Sequence, residues 1–289
     1  KDKLLRKTVT ERGLQGPPSA TVAQARWDAW LGDKNAQLDF EEANALADAL
    51  GIQLPEINVD DFRRSGYLPE VLCNFLSLNG WSPGGDVEKF DMQFMKERFD
   101  LKRVVKTPAK FDRAKLLSFN CDAITGMSRE EFLRRSRAHG REFHPQFMSR
   151  LTDAQFDMLA GASHERSKTL DELFRVNRFL VTADDALAWE RTKNVDKVMG
   201  GAEPNGVTHL RALLPVLDGV AQWTPAALEA AIGAYAAGAT EGNLGKVAQP
   251  LRVAVSGGTV SPPIFDTLAI LGKDSTLTRM RRCLQAFGG

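Results

Sequence analysis

The sequence predicts a mainly α-helical protein, because apolar residues repeat with helical spacing, helix-start signals are frequent and long alternating strand patterns are scarce. Three apolar stripes have this spacing: Leu68, Val71, Leu72, Phe75 and Leu76; Leu210, Leu213, Leu214 and Leu217; Leu228, Ala231, Ile232 and Tyr235. Each set places its apolar side chains on one face of a helix. Residues 252–256 (RVAVS) are the best candidate for a short strand.

Helix starts are marked by prolines and by capping residues. Pro69 and Pro225 suit the first turn of a helix, and Thr224 suits an N-cap. The pairs at residues 128 and 131 (Ser, Glu) and at residues 152 and 155 (Thr, Gln) have the spacing of a capping box. These signals predict helices that begin near residues 69, 129, 153 and 225.

The composition is that of a globular protein of two or three domains. The chain has 289 residues, 43% of them hydrophobic and 26% charged, and its net charge is +1. No apolar run approaches the roughly 20 residues that a membrane span needs. The three cysteines lie far apart and form no CxxC, which favours a reducing cytoplasm. The chain starts with Lys1 and without a signal peptide, so we expect a piece of a longer protein.

Charge is distributed unevenly along the chain. Residues 36–61 hold seven acidic residues and no Lys or Arg, whereas residues 96–115 hold eight Lys or Arg against three acidic residues. Residues 129–141 hold five arginines against two glutamates. Each run alone is typical of a solvated helix face, but several basic runs together favour an anionic partner such as a nucleic acid.

The motifs of known catalytic and metal sites are missing from this sequence. It contains neither GxxxxGK[ST] nor GxGxxG, and SGGT at 256–259 is typical of a turn. His139 and His144 are five residues apart, and no neighbouring Cys or acid completes a zinc set. No nucleophile elbow frames a serine. We therefore predict no catalytic residue and no metal ligand in this chain.

Four segments, in order, resemble one family. They are residues 66–86 (GYLPEVLCNFLSLNGWSPGGD), 99–116 (FDLKRVVKTPAKFDRAKL), 164–180 (HERSKTLDELFRVNRFL) and 244–284, which contains RVAVSGGTVSPPIFDTLAILG. This order is similar to the C-terminal half of the bacterial-type glutamyl-tRNA synthetases of class I. The resemblance covers most of the chain from about residue 60 onward.

Two features of that family are absent here, an HxGH-type ATP motif and a lysine loop of KMSKR type. The resemblance therefore implies a chain that follows the lysine loop and carries tRNA binding without the ATP and glutamate site. We expect this part alone to be inactive and to hold no cofactor, whereas the parent would use ATP and Mg²⁺ to attach glutamate to tRNA. The expected partner is tRNA(Glu), with no DNA and no membrane, and the expected state is a monomer.

The resemblance also implies a division of the chain into three parts. Residues 1–127 would form a region that contacts the tRNA stem, with an N-terminal acidic insertion whose helix is expected at Glu41–Leu50. Residues 128–190 and 191–289 would form two helical anticodon-binding subdomains.

The implied anticodon site lies mostly near the end of the chain. An arginine fork suits the two acceptors of cytosine, and a hydroxyl with backbone groups suits the edge of uracil. The resemblance assigns these roles to Arg252 and to a Ser-Pro-x-x-Phe box, with Ser261 expected as an N-cap, Pro262 at the first helical position and Phe265 available for stacking. It assigns Arg166 to the first anticodon base.

The basic run in the first part would bind the tRNA backbone. Lys102, Arg103, Lys106 and Lys110 are the candidate phosphate contacts, which would position the tRNA without reading its sequence. Two alternatives stay open. One is a helical scaffold for protein partners, against which the missing fixed repeat argues. The other is a synthetase of relaxed specificity that also charges tRNA(Gln), a choice that Arg166 alone does not settle.

Overall fold

The computed structural model of the chain describes residues 1–106, 111–201 and 203–288. Within these ranges it has seventeen α-helices, three 3-10 turns and no strand, which confirms the predicted fold class. None of these helices is both long and apolar enough to cross a bilayer. The chain divides into two compact units, Lys1–Phe62 and Arg63–Gly289. The divisions expected near residues 127 and 190, inside the second unit, stay predictions.

The helices are α1 Asp2–Glu11, α2 Gln24–Gly32, α3 Phe40–Leu50, α4 Val59–Arg64, α5 Pro69–Ser77, α6 Met92–Arg98, α7 Arg113–Gly126, α8 Arg129–Phe143, α9 Pro145–Met148, α10 Asp153–Ser163, α11 Leu170–Val176, α12 Lys193–Met199, α13 Gly206–Asp218, α14 Pro225–Ala239, α15 Leu244–Ser256, α16 Ile264–Leu271 and α17 Lys273–Phe287. The 3-10 turns are Leu101–Arg103, His164–Arg166 and Arg178–Val181.

The first unit has an apolar core of its own. Trp27 and Trp30 of α2 are fully buried, with ring centroids 5.7 Å apart, and pack among side chains of α1 and α3. Arg6 of α1 donates hydrogen bonds to four carbonyl oxygens at and after the end of α2, where helical carbonyls have no partner of their own. The expected acidic helix forms as α3, which begins with a full capping box.

The face of α5 that is buried differs slightly from the apolar stripe predicted from the sequence. Phe75 is buried, but Leu76 at the end of the stripe is exposed and the polar Asn74 is buried instead. The Asn74 amide donates to the carbonyl of Glu88 at 2.9 Å, and its oxygen accepts from the backbone N–H of Phe90 at 3.2 Å. Asn74 is therefore buried because it holds the loop that leads into α6.

The capping pattern holds in one of the two predicted boxes. Thr152 and Gln155 form a reciprocal capping box at the start of α10. Ser128 accepts from the backbone N–H of Glu131, but the Glu131 carboxylate pairs with Arg134 at 2.7 Å and Arg135 at 2.6 Å. The box at α8 is therefore only half formed, because two nearby guanidinium groups compete for the carboxylate.

The predicted strand at residues 252–256 is wrong, because this segment is the last part of α15. Val253, Ala254 and Val255 are all fully buried, so this part of the helix is enclosed on several faces. A short apolar run of this kind has no periodicity that separates a strand from an enclosed helix. The SGGT segment, which was predicted as a turn, ends α15, with Gly257 in the left-handed conformation at φ 84°.

The start of α11 lies against the segment that leads into α5. Gly66 has φ 76°, and a Cβ there would lie 2.6 Å from the backbone nitrogen of Leu170. Asn120 of α7 is fully buried, accepts from the N–H of Leu68 at 2.8 Å and donates to the carbonyl of Lys168 at 2.6 Å. These contacts join α5 and α7 to the segment before α11.

Arg279 of α17 connects residues 179–184 with the end of α15. Only 1% of the residue is exposed, and its Nε donates to Asp184 Oδ1 at 2.6 Å. Its NH1 group donates to the carbonyls of Phe179 at 2.9 Å and Val255 at 2.8 Å, and its NH2 group to that of Thr182 at 2.7 Å. One side chain therefore joins residues 179–184 to α15 and α17.

We predict that Gly66→Ala destabilises the protein by about 3 kcal/mol or more, because it adds left-handed strain to an overlap with the backbone of α11. Gly85→Ala is the matched control, since Gly85 also has a positive φ of 64° but open space around it. We expect about 1–2 kcal/mol from that control. Urea denaturation followed by circular dichroism measures both, and equal losses would contradict the close approach.

We predict that Arg279→Met lowers the free energy of unfolding by about 3–5 kcal/mol, because it leaves Asp184 and three carbonyl oxygens without their donor. Arg281→Met on the same helix is the control, since Arg281 is exposed and should change stability by about 0.5 kcal/mol or less. The measurement is thermal and urea unfolding of the three proteins side by side. A loss of about 0.5 kcal/mol or less in the free energy of unfolding for Arg279→Met would mean that the Arg279 hydrogen bonds do not stabilise the fold.

Candidate nucleic-acid interface

A cavity of about 140 Å³ lies where the 3-10 turn His164–Arg166 and α11 meet the segment before α16. Arg166 lines one side of it, and Ser261 and Pro262 line the other. Three of the five residues predicted for the anticodon site therefore meet at one cavity, although about 95 positions separate the two sides in sequence.

Arg252 contacts the lining of this cavity through Ser261. Its Nε donates to the Ser261 hydroxyl at 2.9 Å, and its terminal NH1 and NH2 groups make no hydrogen bond or ion pair with any described residue. Burial first, and then the positive charge of Arg166, lower the pKa of the Arg252 guanidinium. Because an arginine stays charged at neutral pH, the arrangement leaves a partly desolvated donor fork without a protein anion.

The prediction that Ser261 caps α16 is wrong. The helix begins at Ile264 with Pro263 at the N-cap position, so Pro262 is also not the first helical residue. A residue before proline is disfavoured in helical conformation, and the second proline therefore delays the helix. The Ser261 hydroxyl accepts from Arg252 and donates to the Pro262 carbonyl at 2.8 Å. Its role in the structure is to hold the arginine.

Phe265 lies on the first turn of α16 and is partly buried. Its ring packs against the apolar core formed by α12 to α17, and it does not belong to the lining of the cavity. The predicted stacking of a base on Phe265 would therefore have to use the exposed part of a ring that also serves the core.

Arg166 is the exposed end of a well-anchored turn. Within the described ranges it makes no ion pair or side-chain hydrogen bond. Next to it, His164 Nε2 lies 2.8 Å from the Ile124 carbonyl, and its ring stacks on Phe132 with centroids 4.5 Å apart. The turn is fixed by His164, so the Arg166 guanidinium is presented from a rigid base.

Two residues of the cavity lining were not found by sequence reasoning. The Ser163 hydroxyl and the Asn177 amide oxygen are buried and have no hydrogen-bond partner among the described residues. Ser and Asn are common helix-terminal residues, so nothing in the sequence separates them from ordinary caps.

The predicted phosphate contacts are exposed where the structure describes them. Lys102 and Arg103 lie in the 3-10 turn Leu101–Arg103, and Lys106 follows it, all three exposed. Across the described ranges none of the three forms an ion pair. Lys110 lies outside the described residues.

The second basic run, residues 129–141, behaves differently. Arg134 and Arg135 pair with Glu131, and Arg137 pairs with Asp153 and Asp157. Internal carboxylates thus neutralise much of this run, which supports the interpretation as a solvated helix face. Lys102, Arg103, Lys106, Arg166 and Arg252, in contrast, are not paired with any described carboxylate.

A group of side chains that could hold a metal ion lies apart from the cavity lining. The ligand atoms of His139, His144 and Asp171 lie within 4.8 Å of one another. Burial lowers the pKa of His139, whereas the pKa of Asp171 is held low by the two histidines despite its burial. Sequence reasoning missed the group because Asp171 follows His144 by 27 residues, a distance at which no spacing rule applies.

Two ranges of the chain match known families. Residues 132–284 match the family described as "Anticodon binding domain", which is more than half of the chain. Residues 54–118 match the family described as "tRNA synthetases class I (E and Q), catalytic domain". The second match includes the basic run, and the first includes every predicted anticodon residue.

Bacterial relatives of the chain are glutamate–tRNA ligases. That of Corynebacterium efficiens is 37% identical over 229 residues, which cover 78% of this chain and 45% of the relative. That of Azorhizobium caulinodans is 37% identical over 232 residues, which cover 78% of this chain and 47% of the relative. The chain thus spans about half the length of these relatives.

The fold is also found in solved structures. A glutamate tRNA ligase from Elizabethkingia meningosepticum, solved in complex with its amino acid, superimposes with a TM-score of 0.62 at 22% identity. The superposition covers 88% of this chain and 49% of the ligase chain. Glutamate-tRNA synthetase from Elizabethkingia anophelis gives a TM-score of 0.61, also at 22% identity, and covers 86% of this chain and 48% of its own. At this identity the likeness concerns the fold alone.

The family match and the relatives lead to the same conclusion. The chain belongs to the anticodon-binding domain family of the class I glutamate–tRNA ligases.

Proposed function

We propose that this chain is the tRNA-recognising part of a glutamate–tRNA ligase and that its partner is tRNA(Glu). The observation that carries the proposal is the meeting of Arg166, Ser261 and Pro262 at one cavity, with Arg252 bonded to Ser261 and both guanidinium groups without a protein anion among the described residues. Such a site suits an unstacked base beside a phosphate backbone, because both present acceptor atoms.

In this proposal Arg252 reads the third anticodon base. Ser261 occupies its Nε, which leaves the NH1 and NH2 donors as a fork without a partner among the described residues. A cytosine edge offers two acceptors, O2 and N3, that match such a fork. Because the hydrogen bond to Ser261 orients the side chain before tRNA arrives, less entropy is lost on binding.

The neighbouring groups would read the other two bases. Ser261 and Pro262 would contact the second base, a uracil, once the Ser261 hydroxyl turns from the Pro262 carbonyl to the base, and Arg166 would contact the first base from the rim of the cavity. Phe265 would contribute the exposed part of its ring.

The basic turn in the first part of the second unit would hold the tRNA backbone. Lys102, Arg103 and Lys106 are exposed and unpaired within the described ranges, as phosphate contacts require, and Lys110 is included in the proposal from its sequence position. These contacts fix the register of the tRNA, and the cavity supplies the choice between tRNAs.

The proposal extends to the whole enzyme and to the organisation of this half. The parent would attach glutamate to tRNA(Glu) with ATP and Mg²⁺, in the cytoplasm and as a monomer. Residues 1–127 would contact the tRNA stem, and residues 128–190 and 191–289 would form the two anticodon-binding subdomains. The chain's own residues would then supply recognition, and chemistry at the tRNA 3′ end would belong to the ATP and glutamate site.

We predict that Arg252→Ala weakens binding of tRNA(Glu) by about 1–3 kcal/mol, the usual contribution of a bidentate contact to a base. The loss should nearly disappear when the third anticodon base is replaced, because the wild-type arginine then lacks its two acceptors. The measurement is a double-mutant cycle by fluorescence anisotropy at fixed salt, with tRNA(Gln) as a further ligand that tests relaxed specificity.

Arg281→Ala is the matched control for that cycle, since Arg281 is an exposed arginine on α17. It should leave the binding of every tRNA unchanged. Additive losses at Arg252 and at the base, without coupling between them, would show that Arg252 does not read that base.

We predict that reversing Lys102 and Arg103 to Glu weakens the binding of all tRNAs to a similar extent. It should also reduce the slope of log K against log salt by about 1 for each phosphate that the variant no longer neutralises. The double reversal of Lys3 and Lys7 is the control, because it changes net charge equally at two exposed positions of α1. If both double variants lose the same affinity, or if the loss depends on the anticodon, the assignment to phosphate contacts is wrong.

A further inference from the structure

Two histidines and an aspartate come together at a helix junction that the anticodon site does not use. His139 lies in the last part of α8, His144 joins α8 to α9, and Asp171 lies in the first turn of α11. His144 Nε2 is 2.7 Å from Asp171 Oδ1, and His139 Nε2 is 3.9 Å from the same oxygen. Three ligand atoms from three elements thus point to one place.

The His139 ring nitrogen is the feature that an ordinary core histidine does not explain. The side chain is only 5% exposed, and its Nε2 has no hydrogen-bond partner among the described residues. A buried polar atom without a partner is costly, so native structures usually supply one. The only described charges that face it are Asp171, His144 and Glu142.

We propose that His139, His144 and Asp171 form a binding site for a divalent transition-metal ion of the Zn²⁺ class. Two imidazoles and one carboxylate are ligands that zinc commonly takes, with a fourth position left for water. Ligands of a tetrahedral zinc ion lie about 3.3 Å apart. The two distances to Asp171, 2.7 and 3.9 Å, fall on either side of that spacing, and the three ligand atoms lie within 4.8 Å of one another, so changes of at most about 1.5 Å in any one pair bring all three onto one ion.

The surroundings suit a bound cation. Aromatic rings enclose the site: His144 stacks on Phe174 with centroids 4.5 Å apart, and Phe143 lies 4.8 Å from the ring of His139. An apolar shell of this kind strengthens the attraction between the ion and the Asp171 carboxylate. The His144 side chain is 27% exposed, which provides an entry path and room for the water ligand.

The ion would act as a clamp between α8, α9 and α11. Gly140 follows His139 and lets α8 approach α11 closely, since a Cβ there would lie 2.6 Å from the ring of Phe174. The first turn of α11 follows the segment that carries Arg166. Metal binding would therefore stabilise the fold around the rim of the anticodon cavity, and it would not take part in any chemical step.

Zn²⁺ titration by calorimetry of the full chain without a histidine tag tests the proposal, with no tRNA present. One ion per chain should bind, and the melting temperature should rise by about 5 °C when Zn²⁺ exceeds its Kd a hundredfold. His144→Gln and Asp171→Asn should each weaken binding by about 100-fold or more. Substoichiometric binding, or affinities unchanged in both variants, would overturn the site.

His164→Gln is the control, because His164 lies in the same unit and bonds to the Ile124 carbonyl instead of a carboxylate. It should bind Zn²⁺ as the wild type does. Co²⁺ gives a second readout that needs no variant, since coordination by two imidazoles and a carboxylate gives an intense visible absorption. A weak spectrum like that of hydrated Co²⁺ would reject the four-coordinate assignment, and displacement of an intense band by one equivalent of Zn²⁺ would support it.

Discussion

The geometry of the recognition region depends on a charge buried at its centre. Burying the charged side chain of Arg279 costs free energy unless each donor has a partner. Its partners are the Asp184 carboxylate and three backbone carbonyl oxygens. Those carbonyls belong to residues 179–182, which follow α11, and to Val255 near the end of α15. Because the guanidinium is planar and its donors are fixed, the two segments have one favourable arrangement. The side chain thus fixes two segments that adjoin, in sequence, the two walls of the cavity.

The relative position of Arg166 and Arg252 also depends on packing between distant parts of the chain. Arg166 comes from a turn before α11, and Arg252 comes from α15, so their separation is decided by packing and not by chain connectivity. Burial first, and then the nearby charge of Arg166, disfavour the charged form of Arg252 and lower its pKa. An anionic ligand would relieve the repulsion between the two guanidinium groups. A site of this kind gains affinity from a bound polyanion without a large rearrangement.

Much of the fold could be predicted from the sequence because its signals are local. Thr224 accepts from the third residue after it and Pro225 starts α14, as their residue types indicate. The errors occur where tertiary contacts override local preference. Residues 252–256 look like a strand but form an enclosed helix, and Ser261 looks like a cap but bonds Arg252 instead. The site residues were found through a family resemblance, since the two sides of the cavity share no local pattern.

Charge is the property that the sequence alone describes least well. In the sequence, residues 96–115 and residues 129–141 have a similar excess of basic over acidic residues. The net charge of +1 for the whole chain reveals neither run. Folding separates them, because carboxylates of α8 and α10 neutralise several arginines of the second run, while the turn Leu101–Arg103 leaves its cations exposed. An anionic partner responds to the charge that remains after such pairing. Unpaired cations remain at the turn Leu101–Arg103 and at the cavity that Arg166 lines, and in the proposed function positioning and discrimination would fall to these different residues.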